Sequence, residues 1–268
     1  MPRVYNKAMV AKPVERILVA SDGGVESNAA LQFARLLTEQ YGAAAEIICV
    51  FVPRIPVPAT QEGVHDRECE ASDKPAADAL LRNVQDQASR LGISGPVHLA
   101  VGHPPWVIAQ RANRMRADVV VLGHEARSDP RMPRTTRHTA ELIALAADVP
   151  VLAVPTKHKR LPRSALIVQD DSAAGTRARA MAESVIAPGG ELHVVRGPVG
   201  RELLSLIKET GAELIAVPLS GETFAVRSLT AGGVADLLDH ADMDVVIAPA
   251  PSTASDRRAN AADHVPGM

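Results

Sequence analysis

Two stretches of this chain open alike, and they set most of what it can fold into. Arg16-Ile17-Leu18-Val19-Ala20-Ser21-Asp22-Gly23-Gly24 is an apolar strand running into an acid and two glycines. Ala165-Leu166-Ile167-Val168-Gln169-Asp170-Asp171-Ser172 repeats the pattern. Each has a later partner, residues 117–123 and 212–218, again an apolar strand that ends in a turn. Such a repeat implies two related α/β units, and each copy can be checked against the other for residues a site would need.

Between the first strand and residue 155, apolar runs alternate with segments of helical periodicity. The spacing predicts strands near 16–22, 46–52, 97–101, 119–122 and 151–154, with helices near 24–41, 75–91, 104–115 and 136–147. Gly42 and Gly92 stop the first two helices, and Pro104 suits a first turn. Strict alternation of this kind means a parallel sheet with helices on both faces. Ligands of such sheets sit at the carboxyl ends of the strands, where Asp22 and Gly123 lie. In the second copy, strands near 165–170, 192–195, 213–217 and 244–248 alternate with helices near 173–186, 199–209 and 233–240. The two copies align at an offset of 95 over their later parts and 149 over their first strands. The difference, 54 residues, is about one strand and one helix missing from the second copy. The expected fold is therefore α/β: two doubly wound parallel-sheet domains, five strands in the first and about four in the second.

The expected organisation is a flexible arm over 1–14, a first domain over 15–156 and a basic linker over 157–163. A shortened second domain over 164–250 and a disordered tail over 251–268 complete it. Aromatic residues are only 2% of the chain and the net charge is -2. Neither base stacking nor polyanion steering has support, so nucleic acid is not an expected partner. Lys157, Lys159, Arg160 and Arg163 read as a solvated linker. Cys49, in a strand-like run, reads as a small buried hydrophobe, and Cys69 lies in a polar segment. The most apolar stretch, 142–155, is interrupted by Asp148 and Pro150, so no membrane insertion is expected and the cytoplasm is the default location.

With Ile17 through Gly23 followed by Ser27 and Ala30-Leu31, the opening resembles that of the universal stress protein family. Gly102-His103-Pro104 through Ile108 to Ala117-Asp118-Val119-Val120-Val121-Leu122-Gly123 is similar to its third helix and fourth strand. Val149-Pro150-Val151-Leu152-Ala153-Val154 is similar to its closing strand. The resemblance covers residues 16–155 and, more loosely, 164–249, as in the tandem form of the family. It implies a nucleotide alpha-hydrolase-like fold, an intramolecular pseudo-dimer paired through residues 151–154 and 245–248, and a role in stress signalling. A homodimer is a further expectation.

Nucleotide-binding members of the family carry the strand-end Asp, then G-x-x-G, about nine residues and G-[S/T], because glycines let backbone N–H groups approach phosphate. The Asp can accept hydrogen bonds from ribose hydroxyls. This chain departs from the pattern twice. In the first copy Gly123 is present, but Ala126 takes the second Gly position and Arg137-His138 the final pair. In the second, Pro218 takes the first position, while Gly221, Gly232 and Gly233 fit the later ones. Proline removes a donor and fixes φ, which damages a phosphate cradle. For the first copy two readings stand. Either Arg127, Arg134, Arg137 and His138 replace backbone donors with charged side chains, or the loop is an eroded relic.

The candidate site for ATP or another adenine nucleotide, with any Mg²⁺ arriving on the nucleotide, is therefore Asp22, Gly23, Val50, Gly123, Ala126, Arg127, Arg137 and His138. A second set is Asp171, Gly221, Gly232 and Gly233. Asp22 could equally cap the helix that follows it. His103, His124 and His138 all fall near the carboxyl edge of the first sheet, but no tight ligand spacing joins them. No G-x-S-x-G, Walker lysine or G-x-G-x-x-G motif is present. Three functions remain: a nucleotide-responsive signalling module, a nucleotide-free interaction scaffold, and a slow nucleotide hydrolase.

Overall fold

A computed structural model describes residues 3–4, 13–53, 71–124, 139–157, 160–196, 202–219, 237–238 and 242–251. After a short β1 (Arg3–Val4), the first part runs β2 (Arg16–Ala20), α1 (Val25–Tyr41), β3 (Ala44–Phe51), α2 (Lys74–Arg90), β4 (Val97–Val101), α3 (Pro104–Met115), β5 (Val119–His124), α4 (Thr139–Ala146) and β6 (Val151–Pro155). The second part runs β7 (Ser164–Gln169), α5 (Ala173–Val185), β8 (Glu191–Arg196), α6 (Glu202–Thr210), β9 (Leu214–Leu219) and β10 (Asp244–Pro249). All ten described strands form one sheet in the order β1-β8-β7-β9-β10-β6-β5-β2-β3-β4. Strands β2 to β6 are mutually parallel, as are β7 to β10. The two blocks meet where β10 pairs antiparallel with β6.

Alternation along each strand sorts the core into two layers, because successive side chains point to opposite faces. Ile17, Val19, Leu152, Val154, Ala165, Ile167, Val246 and Ala248 pack with α1, α2 and α5 on one face. Leu18, Ala20, Val151, Ala153, Leu166, Val168, Val245 and Ile247 pack with α3, α4 and α6 on the other. Both layers cross the β6–β10 seam without a break. Below it, Arg177 of α5 donates from Nη1 to the Asp148 carboxylate at 3.2 Å and to the Pro249 carbonyl at 3.4 Å.

One expectation changes and another gains detail. The N-terminal arm is not simply free, since β1 pairs antiparallel with β8 and Val14 is 2% exposed within the core. The described basic side chains of the linker, Lys157, Arg160 and Arg163, are exposed as expected, but the linker is anchored between them. Leu161 and Pro162 are buried, Lys157 bonds Asp242 at 2.7 Å, and Arg160 forks onto the Glu213 carboxylate. Burial pushes the Glu213 carboxyl up, but the bonds from Arg160 and the Arg163 N–H outweigh it and hold the group below its ordinary value.

Cys49 is fully buried in β3, and burial pushes its thiol up to about 11, against a smaller lowering by a backbone hydrogen bond. At pH 8 a thiol of that pKa is about 0.1% thiolate, the reactive form. In a Cys69→Ser variant, the remaining thiol is expected to stay unlabelled by a disulfide reagent until denaturant is added. Labelling at the rate of a free thiol in native buffer would contradict that placement.

Candidate functional site

The carboxyl ends of β2, β3 and β5 lie side by side, with Ala20 paired to both Ile48 and Leu122. Past Ala20 the chain turns sharply. Gly23 takes φ +76, and its N–H donates to Ser21 Oγ at 3.2 Å. Its carbonyl accepts from Gln87 Nε2 at 2.8 Å and Asn83 Nδ2 at 3.2 Å, both on α2. At that φ glycine is favoured, and a Cβ would lie 2.2 Å from Asn83 Nδ2 and push that side chain off the Gly23 carbonyl. Ser21 Oγ donates to Ser27 Oγ at 3.1 Å, and Ser27 Oγ donates to the Gly24 carbonyl at 3.1 Å. Ser21, Ser27, Asn83 and Gln87 therefore fix the turn. The two α2 residues carry no sequence signal beyond their i, i+4 spacing on a polar face.

Asp22 is exposed at this turn. Its Oδ1 accepts the Gly24 N–H at 2.9 Å, and Oδ2 has no hydrogen-bond partner among the described residues. The helix starts at N-cap Gly24 without a side-chain cap. Asp22 thus orders the turn and does not cap the helix. Val50 is half-buried in β3 opposite Ala100 and packs against the second core layer. Gly123, in β5 opposite Val154, is pressed against the first turn of α1: a Cβ there would lie 1.9 Å from the Glu26 carbonyl oxygen. Ala126, Arg127, Arg134, Arg137 and His138 lie outside the described residues, as do Gly221, Gly232 and Gly233.

In the second block the register corrects the expected counterpart of Asp22. Ile17 pairs with Val119, and Ala165 pairs with Leu214, the residue that aligns with Val119. Ile17 therefore matches Ala165, both in the first core layer, and Asp22 matches Asp170 rather than Asp171. A slip of one residue exchanges the two faces of a strand, which is what an offset of 149 would require. The turns agree. Asp170 Oδ1 accepts the Ser172 N–H at 3.1 Å, as Asp22 Oδ1 accepts that of Gly24, and Ser172 is the N-cap of α5. Asp170 is nevertheless spent differently. The Ser172 hydroxyl also closes on Oδ1, and a Cβ at Gly175 would lie 2.3 Å from the same oxygen. Pro218 stands within β9, opposite Ala248, where the first block has Gly123.

His124 is 7% exposed, and its Nε2 lies 3.4 Å from the Met243 carbonyl across the seam. His103 is exposed at the start of α3. Among the described residues, no group of three or more His, Cys, Asp or Glu side chains could hold a metal ion. No described helix is long and apolar enough to cross a membrane.

Comparison with known proteins gives the family. Residues 13–155 match the model of the universal stress protein family. The chain belongs to that family. A universal stress protein from Archaeoglobus fulgidus DSM 4304 has a similar fold over 90% of this chain and 98% of its own, with a TM-score of 0.64 and 16% identity. A functionally unknown protein from Pseudomonas aeruginosa PAO1 is similar over 94% of this chain and 98% of its own, with a TM-score of 0.55 and 13% identity. A universal stress protein from Archaeoglobus fulgidus in complex with dAMP covers 52% of this chain and 96% of its own, with a TM-score of 0.36 and 21% identity. No curated protein matches. The α/β architecture with its large parallel sheet is thus that of the universal stress proteins.

Proposed function

We propose that this universal stress protein is a two-copy signalling module that binds one adenine nucleotide, at the β2–β5 end of its first copy. The observation that carries the single site is the contrast between the two strand-end acids. Among the described residues, Asp22 is exposed and accepts only the Gly24 N–H, whereas Asp170 is half-buried and accepts both the N–H and the hydroxyl of Ser172. Val25 and Val52 add support. These exposed apolar side chains, 73% and 59% accessible, stand at the same strand ends and offer a surface for a base. A nucleotide-associated Mg²⁺ would be held by phosphate oxygens.

The two-copy reading is supported by the seam. Val245 faces Ala153, Val246 faces Leu152 and Ile247 faces Val151. With Val151 matched to Val245, the Leu152–Val246 pair maps onto itself and the two flanking pairs exchange, as in an isologous two-fold contact. Covalent linkage then makes the pairing independent of dilution.

Calorimetric titration of the full chain with ATP, ADP and AMP tests the binding reading. Heat with saturation at or below millimolar nucleotide is expected, and no heat at that concentration would overturn it. The second reading, a nucleotide-free scaffold, draws on Gly123: the approach of α1 alone demands glycine there, so its presence needs no phosphate.

A further inference from the structure

The second block pairs β8 directly with β7, at the place β3 holds beside β2 in the first. Among the described residues it has no strand of its own beyond β8, where the first block has β4. That place is taken by β1, from the other end of the chain. Arg3 pairs with Val194 and Val4 with His193, antiparallel to β8. Without β1, β8 would present a row of unpaired backbone groups beside buried His193 and Val194, and an edge of that kind accepts another strand.

The length of the joining chain decides which copy supplies the strand. From β1 to β2 the sheet order counts seven strand-to-strand steps, about 34 Å at roughly 4.8 Å each. The twelve residue steps from Val4 to Arg16 reach at most about 40–43 Å when fully extended. Closure within one chain leaves little slack, and only two residue pairs reward it. Connections this short for their span invite exchange of the terminal element between copies.

We propose that β1 is an exchangeable edge strand and that β8 is its docking surface. In solution, β1 of one copy pairs with β8 of a second copy, and the exchange is reciprocal. The partner carries the identical segment, so the antiparallel pairing is kept in the exchange.

Sedimentation velocity on the full chain over a range of micromolar concentrations, with hydrogen exchange read at β8, tests this. The full chain is expected to form a dimer whose fraction rises with concentration. Inserting twelve Gly/Ser residues between Ala11 and Lys12 should shift it to monomer while the 192–195 amides stay protected. Deleting residues 1–12 should also give monomer, with that protection lost. A full chain that stays monomeric throughout would overturn the proposal. So would a dimer that survives the deletion.

Discussion

Replacing Gly123 with alanine is expected to destabilise the protein by about 3 kcal/mol, at the upper end of what overpacking costs. The added methyl would sit 1.9 Å from the Glu26 carbonyl oxygen, 2.1 Å from its carbon and 2.7 Å from Ser27 N. All three are backbone atoms of the first turn of α1, so no side-chain rotation relieves the clash. Either α1 or β5 must shift, and both are core elements. Gly42→Ala is the control. Its φ is +70, but nothing lies within 4 Å of an added Cβ, so only the left-handed backbone penalty of about 1 kcal/mol applies. Chemical denaturation of the two variants checks the difference. Equal effects would mean that the approach of α1 is not what fixes this glycine.

Truncating Leu152 to alanine at the seam is expected to cost about 3 kcal/mol, within the range for a fully buried leucine. Leu152 is 0% exposed and lies opposite Val246, also 0% exposed, in a core layer that spans α1 and α5. Because that layer is continuous, the loss should appear in one cooperative transition covering both blocks. The cycle with Val246→Ala should show coupling of about 1 kcal/mol, since the pair is in direct cross-strand contact. Two separate transitions, with only one moved by Leu152→Ala, would show that the seam does not join the blocks energetically.

Much of this was legible from the residues, because strand alternation and helix stops are local signals. The runs at Ile17 to Ala20 and Val119 to Leu122 carry their own boundaries. The Asp22 turn was also visible, but its counterpart was placed one residue late, at Asp171. Adjacent Asp170 and Asp171 are indistinguishable until a sheet register says which way Ala165 points. The pairing of β1 with β8 had no signal at all, since two residues have no period and their partner lies far along the chain. The packing of the linker was hidden for a related reason. Lys157 and Arg160 stay exposed, but their partners Asp242 and Glu213 are brought against them only by the fold. Gly123 was read from its phosphate-facing pattern alone, whereas the close approach of α1 selects glycine there as well.

The central claim is one adenine-nucleotide site per chain, built on the first strand-end acid. Calorimetric titration of the full chain beside its Asp22→Ala and Asp170→Ala variants tests it most directly. The account predicts one nucleotide per chain, binding weakened at least tenfold by Asp22→Ala, and binding unchanged by Asp170→Ala. Two nucleotides per chain, or a loss caused by Asp170→Ala and not by Asp22→Ala, would contradict it.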